Sequence, residues 1–411
     1  MHNPSFPFSL PMVLDGSTGI SLYRRGMPQG VCTEDWVCHH PDVICSLQHD
    51  FFEAGSDVVY APTFAANRAK LSHYHLDEHT VEMNHKLVSL SKSQAQGKLV
   101  AGDMTTTGLF IEPFGDATFD EVLAVYREQA FALRDAGVDF LIAETMMTLH
   151  EVRAALIAGR ETGLPVLLTV TVDENGRTLS GASALACYTV ARSLGAAAFG
   201  FNCSFGPEGM CRQIEQIAPY ADIPLIAKPN AGMPSVDDPL RYDLTPEQMA
   251  VSVEKLLAAG VQIVGGCCGA GPEYIAAIRK VVDGFDFDSV VRAPQPMDRL
   301  LCDSRDAFTL PNDITLSDPL EVTEDLPDDL MEAEDGDFDV LLVAIHSLDD
   351  AEAFAENAYM CKVPVGFTGD SEEGIARALL LYQGRALLDS RAELDTEALQ
   401  RLSDDYGAAI Y

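Results

Sequence analysis

Short apolar runs alternate with longer amphipathic segments along about the first 290 residues. Each run ends in glycine, proline or polar residues, as a buried strand does where it enters a turn. Eight runs predict strands, at residues 12–14, 57–60, 98–103, 138–143, 165–172, 196–201, 223–227 and 262–264. Most segments between them have helical periodicity; in 119–136, for example, Phe119, Val122 and Tyr126 share one face. Thr245 before Pro246 predicts the N-cap of another helix.

This alternation predicts an α/β fold, a (β/α)8 TIM barrel followed by a small partial α/β domain. Polar residues cluster directly after the predicted strands, which is where such barrels build their active sites. An open doubly wound sheet is the alternative. We rank it lower because no Gly-x-Gly-x-x-Gly sequence follows the first predicted strand.

Three cysteines follow two of the predicted strands. The run that ends at Val264 continues as Gly265-Gly266-Cys267-Cys268-Gly269, and the run that ends at residue 201 continues as Asn202-Cys203-Ser204-Phe205-Gly206-Pro207. Neighbouring side chains of a strand point to opposite faces, so Cys267 and Cys268 can meet at one point only where the pleat has ended. The flanking glycines allow the backbone to leave the strand conformation there. The pattern predicts one site with three sulfur atoms.

Three thiolates with an open fourth position are typical of a catalytic zinc site, whereas structural zinc sites are closed by four ligands. Two other interpretations remain: buried cysteines that act only as small apolar side chains, and a strained disulfide between the two adjacent residues. No Cys-x-x-Cys pair is present that would complete a structural site. We therefore predict a catalytic metal held by Cys203, Cys267 and Cys268.

The amino-acid composition indicates which classes of binding partner and which cellular compartment to expect. The chain has 27 lysines and arginines against 63 acidic residues, which gives a net charge of −36. Such a charge argues against binding to nucleic acid or to an anionic membrane, and is compatible with a basic protein partner. No signal peptide and no apolar stretch of about 20 residues is visible, so we expect a cytoplasmic protein. The irregular spacing of the ten cysteines favours reduced thiols.

The pattern changes near Arg292, which predicts three parts: a barrel over residues 1–292, an acidic linker over 293–337 and a small α/β unit over 338–411. Carboxylates are dense in 321–339, and we expect a mobile loop there. The small unit is predicted to contain strands at 338–345, 363–367 and 386–388 and helices at 372–382 and 396–406.

Gly-Gly-Cys-Cys-Gly together with Asn-Cys-Ser-x-Gly-Pro resembles the homocysteine S-methyltransferase family, and the likeness can be followed from Val13 to Lys280. Within that family the chain resembles the homocysteine-binding half of cobalamin-dependent methionine synthases. The resemblance implies that Asp15 and Glu144 hold the ammonium group of homocysteine; Asn230 is a further candidate for substrate binding. Apart from the resemblance, Asp15 is as readily explained as a turn residue before glycine. Glu144 is as readily explained as a carboxylate at the start of a helix.

The resemblance implies methyl transfer to the homocysteine thiol, giving methionine. Methylcobalamin on a separate corrinoid protein is the expected donor, because the chain has no Asp-x-His-x-x-Gly sequence to hold cobalamin itself. The donors S-methylmethionine, S-adenosylmethionine and betaine, another small thiol or selenol as acceptor, and a non-catalytic zinc-bearing assembly subunit remain alternatives. The segments 61–63 and 105–108 depart from the family pattern at the expected barrel mouth.

The C-terminal unit resembles the early part of the methyltetrahydrofolate-binding barrel of methionine synthases, mainly over residues 381–390 and 406–409. The chain offers about four strand-like runs here, which are too few to close an eight-stranded barrel. We therefore expect this remnant not to bind folate. Its open sheet edge is predicted to pack on the barrel or to pair with a second copy in a homodimer.

Overall fold

The computed structural model describes residues 6–112, 114–291 and 294–411. Eight parallel strands form the first sheet, in the order β1-β8-β7-β6-β5-β4-β3-β2. They are β1 Met12–Val13, β2 Val58–Tyr60, β3 Leu99–Met104, β4 Phe140–Met146, β5 Val166–Val170, β6 Ala198–Asn202, β7 Leu225–Lys228 and β8 Val261–Val264. All eight predicted strands are present, and the predicted (β/α)8 fold is confirmed.

The helices around this sheet occupy the segments with helical periodicity. They are α1 Thr18–Arg24, α2 Thr33–His39, α3 Pro41–Glu53, α4 Arg68–Ser72, α5 Thr80–Ala95, α6 Phe119–Asp135, α7 Leu149–Glu161, α8 Ala184–Ser193, α9 Pro207–Ile217, α10 Pro246–Ala258 and α11 Pro272–Gly284. Thr245 caps α10 as predicted: its hydroxyl accepts a hydrogen bond from the Gln248 N–H, and the Gln248 side chain accepts one from the Thr245 N–H.

Two aspartates bridge the seam between β1 and β2, where the strand ladder is not continuous. The Asp57 N–H donates to the Val13 carbonyl oxygen at 2.7 Å, and the Asp57 carboxylate accepts from the Val13 N–H at 2.8 Å. The Asp15 carboxylate accepts from the Tyr60 N–H at 2.7 Å. These bonds satisfy buried backbone groups that a ladder would otherwise pair, and they nearly close the barrel.

The strands alternate between two buried layers. Met12, Phe140, Ile142 and Ile226 belong to a cluster built almost entirely from strand residues, which fills the barrel interior. Their neighbours along the strands pack against the helices in a second, larger cluster. Because both faces are apolar, these strands are continuous apolar runs in the sequence. The same alternation decides which residues at the strand ends point into the mouth of the barrel.

The C-terminal part contains a hairpin and a five-stranded parallel sheet. The hairpin strands are β9 Leu300–Cys302 and β10 Ala307–Thr309; the sheet contains β11 Leu320–Glu321, β12 Leu341–Ala344, β13 Val365–Thr368, β14 Leu387–Leu388 and β15 Ala409–Ile410. Its helices are α12 Leu326–Glu332, α13 Leu348–Asn357, α14 Glu372–Leu381 and α15 Thr396–Tyr406.

The segment predicted as an acidic linker, 293–337, contains β9, β10, β11 and α12 in its described part. The small sheet thus begins at Leu320; β12, β13 and β14 match the three named predicted strands, and β11 and β15 are additional. Leu326 and Leu330 of α12 are buried in its core, so this part of the predicted mobile loop is a helix that carries Asp328 and Glu332 on its exposed side. The predicted domain boundary itself, at 292/293, lies outside the described residues.

The C-terminal unit packs against its own barrel through α7. The fully buried guanidinium of Arg153 donates to the carbonyl oxygens of Leu379, at 2.5 Å, and Gly384, at 3.2 Å. On the surface, Arg377 of α14 forms an ion pair with Asp120 of α6 at 2.8 Å. The homodimer remains a prediction. Among the described residues, no helix is long and apolar enough to span a membrane.

Candidate metal centre

The three predicted cysteines meet at the carboxyl end of the barrel. Cys203 follows β6 directly with φ 59°, a left-handed conformation that turns its side chain away from the strand pleat. The Sγ atoms of Cys203 and Cys268 are 3.6 Å apart, and those of Cys203, Cys267 and Cys268 all lie within 4.8 Å of one another. All ten cysteines of the chain are free in the described structure, so the alternative of a disulfide between adjacent residues is not realised.

The spacing of these sulfur atoms fits a tetrahedral metal ion. Zinc binds thiolates at about 2.3 Å, which places two sulfurs of a tetrahedron about 3.8 Å apart. The observed 3.6 Å is close to that value and far longer than a disulfide bond of about 2.05 Å. The three sulfur atoms come from two loops, and all three cysteines line the same pocket.

Asn230 joins the two cysteine loops. Its amide nitrogen donates to the Cys203 carbonyl oxygen at 2.6 Å, and its amide oxygen accepts from the Cys268 N–H at 3.1 Å. The Cys203 N–H donates to the Lys228 carbonyl oxygen at 3.3 Å. The described hydrogen bonds of the Asn230 side chain therefore hold the Cys203 and Cys268 loops together, and its predicted contact with substrate remains a prediction.

Tyr242 covers one side of Cys268, and sequence reasoning did not find it. A Cβ on Gly269, which has φ +82°, would lie 2.4 Å from the Tyr242 ring, so only glycine allows this approach. Hydrogen bonds from Cys203 and Cys267, joined by one from Tyr242, lower the pKa of the Cys268 thiol. The cluster thus favours a thiolate at this position before any cation is present.

A pocket of about 610 Å³ opens beside the sulfur atoms, and Asp15 and Glu144 line its floor with Tyr60, Asp103 and Lys228. This volume is in the range of small-molecule binding sites. The structure therefore brings both predicted carboxylates to the same mouth as the cysteines. Their predicted contact with a substrate ammonium group remains a prediction.

Lys228, the last residue of β7, is the main pocket residue that sequence reasoning missed. Its Nζ lies 3.1 Å from Glu144 Oε2, 3.6 Å from Asp15 Oδ1 and 3.6 Å from the centroid of the Tyr60 ring. The signal was present in the strand alternation, since Ile226 faces the barrel interior and residue 228 therefore does too. A lysine at such a position is rarely buried without an acidic partner.

Burial and charge act against each other in this group. Burial raises the pKa of Asp15 to about 6, and burial together with Glu144 raises that of Asp103 well above its usual range. Burial also lowers the pKa of Lys228, but Glu144, Tyr60 and Asp15 outweigh this and raise it well above the ordinary value. The group therefore contains a stable ammonium ion and acids of unequal strength.

The raised pKa of Asp15 predicts a pH-dependent loss of stability. Asp15 keeps its proton in the folded state, up to a pKa of about 6, after the unfolded chain has lost it near 3.8. The folded state then binds more protons, so its contribution falls as pH rises. Between pH 5 and pH 7.5, metal-free wild-type protein should lose about 1–1.5 kcal/mol relative to Asp15→Asn in urea unfolding. For the control Asp116→Asn, a change at an exposed residue, the free energy of unfolding should change with pH as it does for wild type. The same pH dependence for Asp15→Asn and wild type would contradict the prediction.

Comparison with known proteins supports the sequence resemblance. The chain is 28% identical over 292 residues to methionine synthase of Mycobacterium tuberculosis (strain ATCC 25618 / H37Rv), which covers 66% of this chain and 24% of that protein. It is 29% identical over 300 residues to methionine synthase of Mycobacterium leprae (strain TN), covering 66% and 25%. The chain thus spans about a quarter of the length of these relatives.

Solved structures of homocysteine methyltransferase MmuM from Escherichia coli share the barrel fold. The oxidized form superposes with a TM-score of 0.56 and the metallated form with 0.54, each at 22% identity over 66% of this chain and 95% of the other. The sequence profile described as "Homocysteine S-methyltransferase" matches residues 12–282, which is more than half of the chain. On that match, the chain belongs to the homocysteine S-methyltransferase family.

Proposed function

We propose that this protein is a zinc-dependent methyltransferase that transfers a methyl group to the thiol of homocysteine and releases methionine. The observation that carries the proposal is the set of three cysteine sulfurs within 4.8 Å of one another at the wall of a pocket with acidic groups. Family membership supports the reaction class.

Cys203, Cys267 and Cys268 would hold the zinc, and Asn230 would keep the two cysteine loops in place. When bound, zinc supplies the positive charge that lets a substrate thiol, with a free pKa near 8.5, lose its proton at neutral pH. The pocket walls orient the substrate sulfur and exclude water. The sulfur lone pair forms the bond to the methyl carbon, and the electrons of the broken bond leave with the donor group.

Methylcobalamin on a separate corrinoid protein is the donor that we propose. The resemblance of the cysteine motifs to the homocysteine-binding half of cobalamin-dependent methionine synthases supports the choice; the sequence itself contains no Asp-x-His-x-x-Gly. Purified zinc-loaded protein should form methionine from homocysteine and methylcobalamin, measured by product mass, and more slowly or not at all from S-methylmethionine, S-adenosylmethionine or betaine. Turnover with S-methylmethionine and none with methylcobalamin would contradict the proposed donor and identify S-methylmethionine in its place.

The C-terminal unit is proposed not to bind folate. Its sheet is open, and the Asp389 carboxylate, which follows β14, is engaged by Arg391 at 2.9 Å. Titration calorimetry with methyltetrahydrofolate should give no binding heat; micromolar binding that disappears when residues 294–411 are deleted would contradict this. Light scattering of the full chain and of the deletion tests the proposed homodimer, and an unchanged dimer after deletion would place the interface on the barrel.

A further inference from the structure

We propose that Lys228 is a specificity-determining residue: it occupies the cation position between Asp15 and Glu144, so that a thiol without an α-ammonium group binds this pocket at least as tightly as homocysteine. The inference rests on the proposed function, because it needs the substrate thiol to reach the open position beside Cys203, Cys267 and Cys268. Homocysteine remains an acceptor under this proposal. Lys228 removes the gain in binding affinity that the ammonium group of homocysteine would otherwise give.

The ammonium group of Lys228 is surrounded by two carboxylates and an aromatic ring. Its Nζ is within 3.1 Å of Glu144 and 3.6 Å of Asp15, and the Tyr60 ring covers it at 3.6 Å. Only 2% of Lys228 is exposed. A buried ammonium with two carboxylates and an aromatic face has its charge satisfied within the protein. The two acids are therefore already paired before a substrate enters.

The remaining acceptors offer little to a second cation. Asp15 Oδ1 and Asp103 Oδ1 are buried and have no hydrogen-bond partner among the described residues, so they are the acceptors that remain for a substrate ammonium. Burial and Glu144 favour the neutral form of Asp103, which weakens it as a counter-ion. An ammonium at Asp15 would share that carboxylate with Lys228, and two like charges in a buried site repel each other. A thiol that lacks the ammonium avoids this repulsion.

Substitution of the Lys228 side chain leaves the backbone contact between this residue and the cysteine loop in place. The Lys228 carbonyl oxygen accepts from the Cys203 N–H, and that bond survives any side-chain substitution. Lys228→Met keeps the length of the side chain and removes its charge. Lys228→Gln keeps a hydrogen-bond donor for the two carboxylates, and it serves as the second variant if the methionine variant folds poorly.

Thiol binding to the full-length, cobalt(II)-loaded protein tests the proposal without a methyl donor. Homocysteine and its desamino analogue γ-mercaptobutyrate are titrated while sulfur-to-cobalt absorption is recorded. Wild-type protein should bind the desamino thiol at least as tightly as homocysteine. Both Lys228 variants should shift the ratio of the two Kd values about ten-fold or more towards homocysteine, as expected when a buried charge contact is gained. Lys255→Met, which removes an exposed lysine paired with Glu208, is the control and should leave the ratio unchanged.

The outcomes separate this inference from the proposed function. A wild-type preference for homocysteine, or a shift in the variants well below ten-fold, would overturn the role of Lys228 and leave methyl transfer intact. Cobalt that binds but shows no spectral response to either thiol would contradict the proposed reaction and, with it, this inference. That last result would favour the non-catalytic assembly subunit.

Discussion

Cys203→Ser protein should lose its zinc and, with it, methyl transfer. Serine keeps the size of the side chain, but its neutral oxygen is a poor ligand for zinc where three thiolates are expected. Changes to residues that only support metal ligands already weaken binding 10- to 100-fold, so loss of a ligand should weaken it by roughly 100-fold or more. Zinc per chain should fall from about one to a small fraction after dialysis, as measured by atomic emission.

Cys211→Ser is the matched control. Cys211 lies on α9, a few residues after Cys203, and its thiol contacts Glu215 and the Lys255 carbonyl oxygen instead of the cluster. This variant should keep the zinc content and the rate of the wild-type protein. Cys267→Ser and Cys268→Ser should behave as Cys203→Ser does. Undiminished zinc in any of the three would remove that residue from the proposed site.

Arg153→Met should destabilise the chain by about 2–4 kcal/mol, because it leaves two buried carbonyl groups without a donor. The guanidinium binds Leu379 O, in the last turn of α14, where a helix dipole favours a positive charge, and Gly384 O in the following loop. Methionine fills much of the volume, so the loss should come mainly from the polar contacts. Urea unfolding followed by far-ultraviolet circular dichroism measures the total, and fluorescence of Trp36, the single tryptophan, follows the barrel.

Arg127→Met supplies the comparison for this variant. Arg127 forms a surface ion pair with Glu161 at 2.6 Å and is 46% exposed, so its loss should change stability by less than about 1 kcal/mol. Arg153→Lys should recover part of the loss, since one ammonium can reach one of the two carbonyls. Equal unfolding curves for Arg153→Met and Arg127→Met would show that the contact between α7 and the C-terminal unit is not a major source of stability.

Both the barrel and the cysteine cluster could be predicted from local sequence. The strands are buried on both faces, so each is a continuous apolar run that needs no partner to be recognised. Cys267 and Cys268 stand between glycines, and Cys203 follows the end of another run; these positions restrict all three to one end of the barrel. A three-thiol cluster and the acids Asp15 and Glu144 at one mouth follow from strand order alone.

The C-terminal sheet was only partly predictable. The strands β11 and β15 have two residues each, which is too short for any periodicity to be seen. Helix α12 lies in a segment rich in carboxylates, and only the burial of Leu326 and Leu330 distinguishes it from an acidic loop. Pairing with longer neighbouring strands, and not local propensity, decides these elements.

The electrostatics of the pocket were decided by the tertiary structure. Lys228 and Glu144 are 84 residues apart, and nothing local to either predicts that a buried ammonium stands between two carboxylates. Asn230 likewise resembles an ordinary turn residue until its amide is seen to bind the backbone of Cys203 and Cys268. Sequence determines which chemical groups reach the mouth of the barrel, because strand alternation and strand order are local rules. Which of those groups neutralise one another depends on distances across the barrel, and only the folded chain sets those distances.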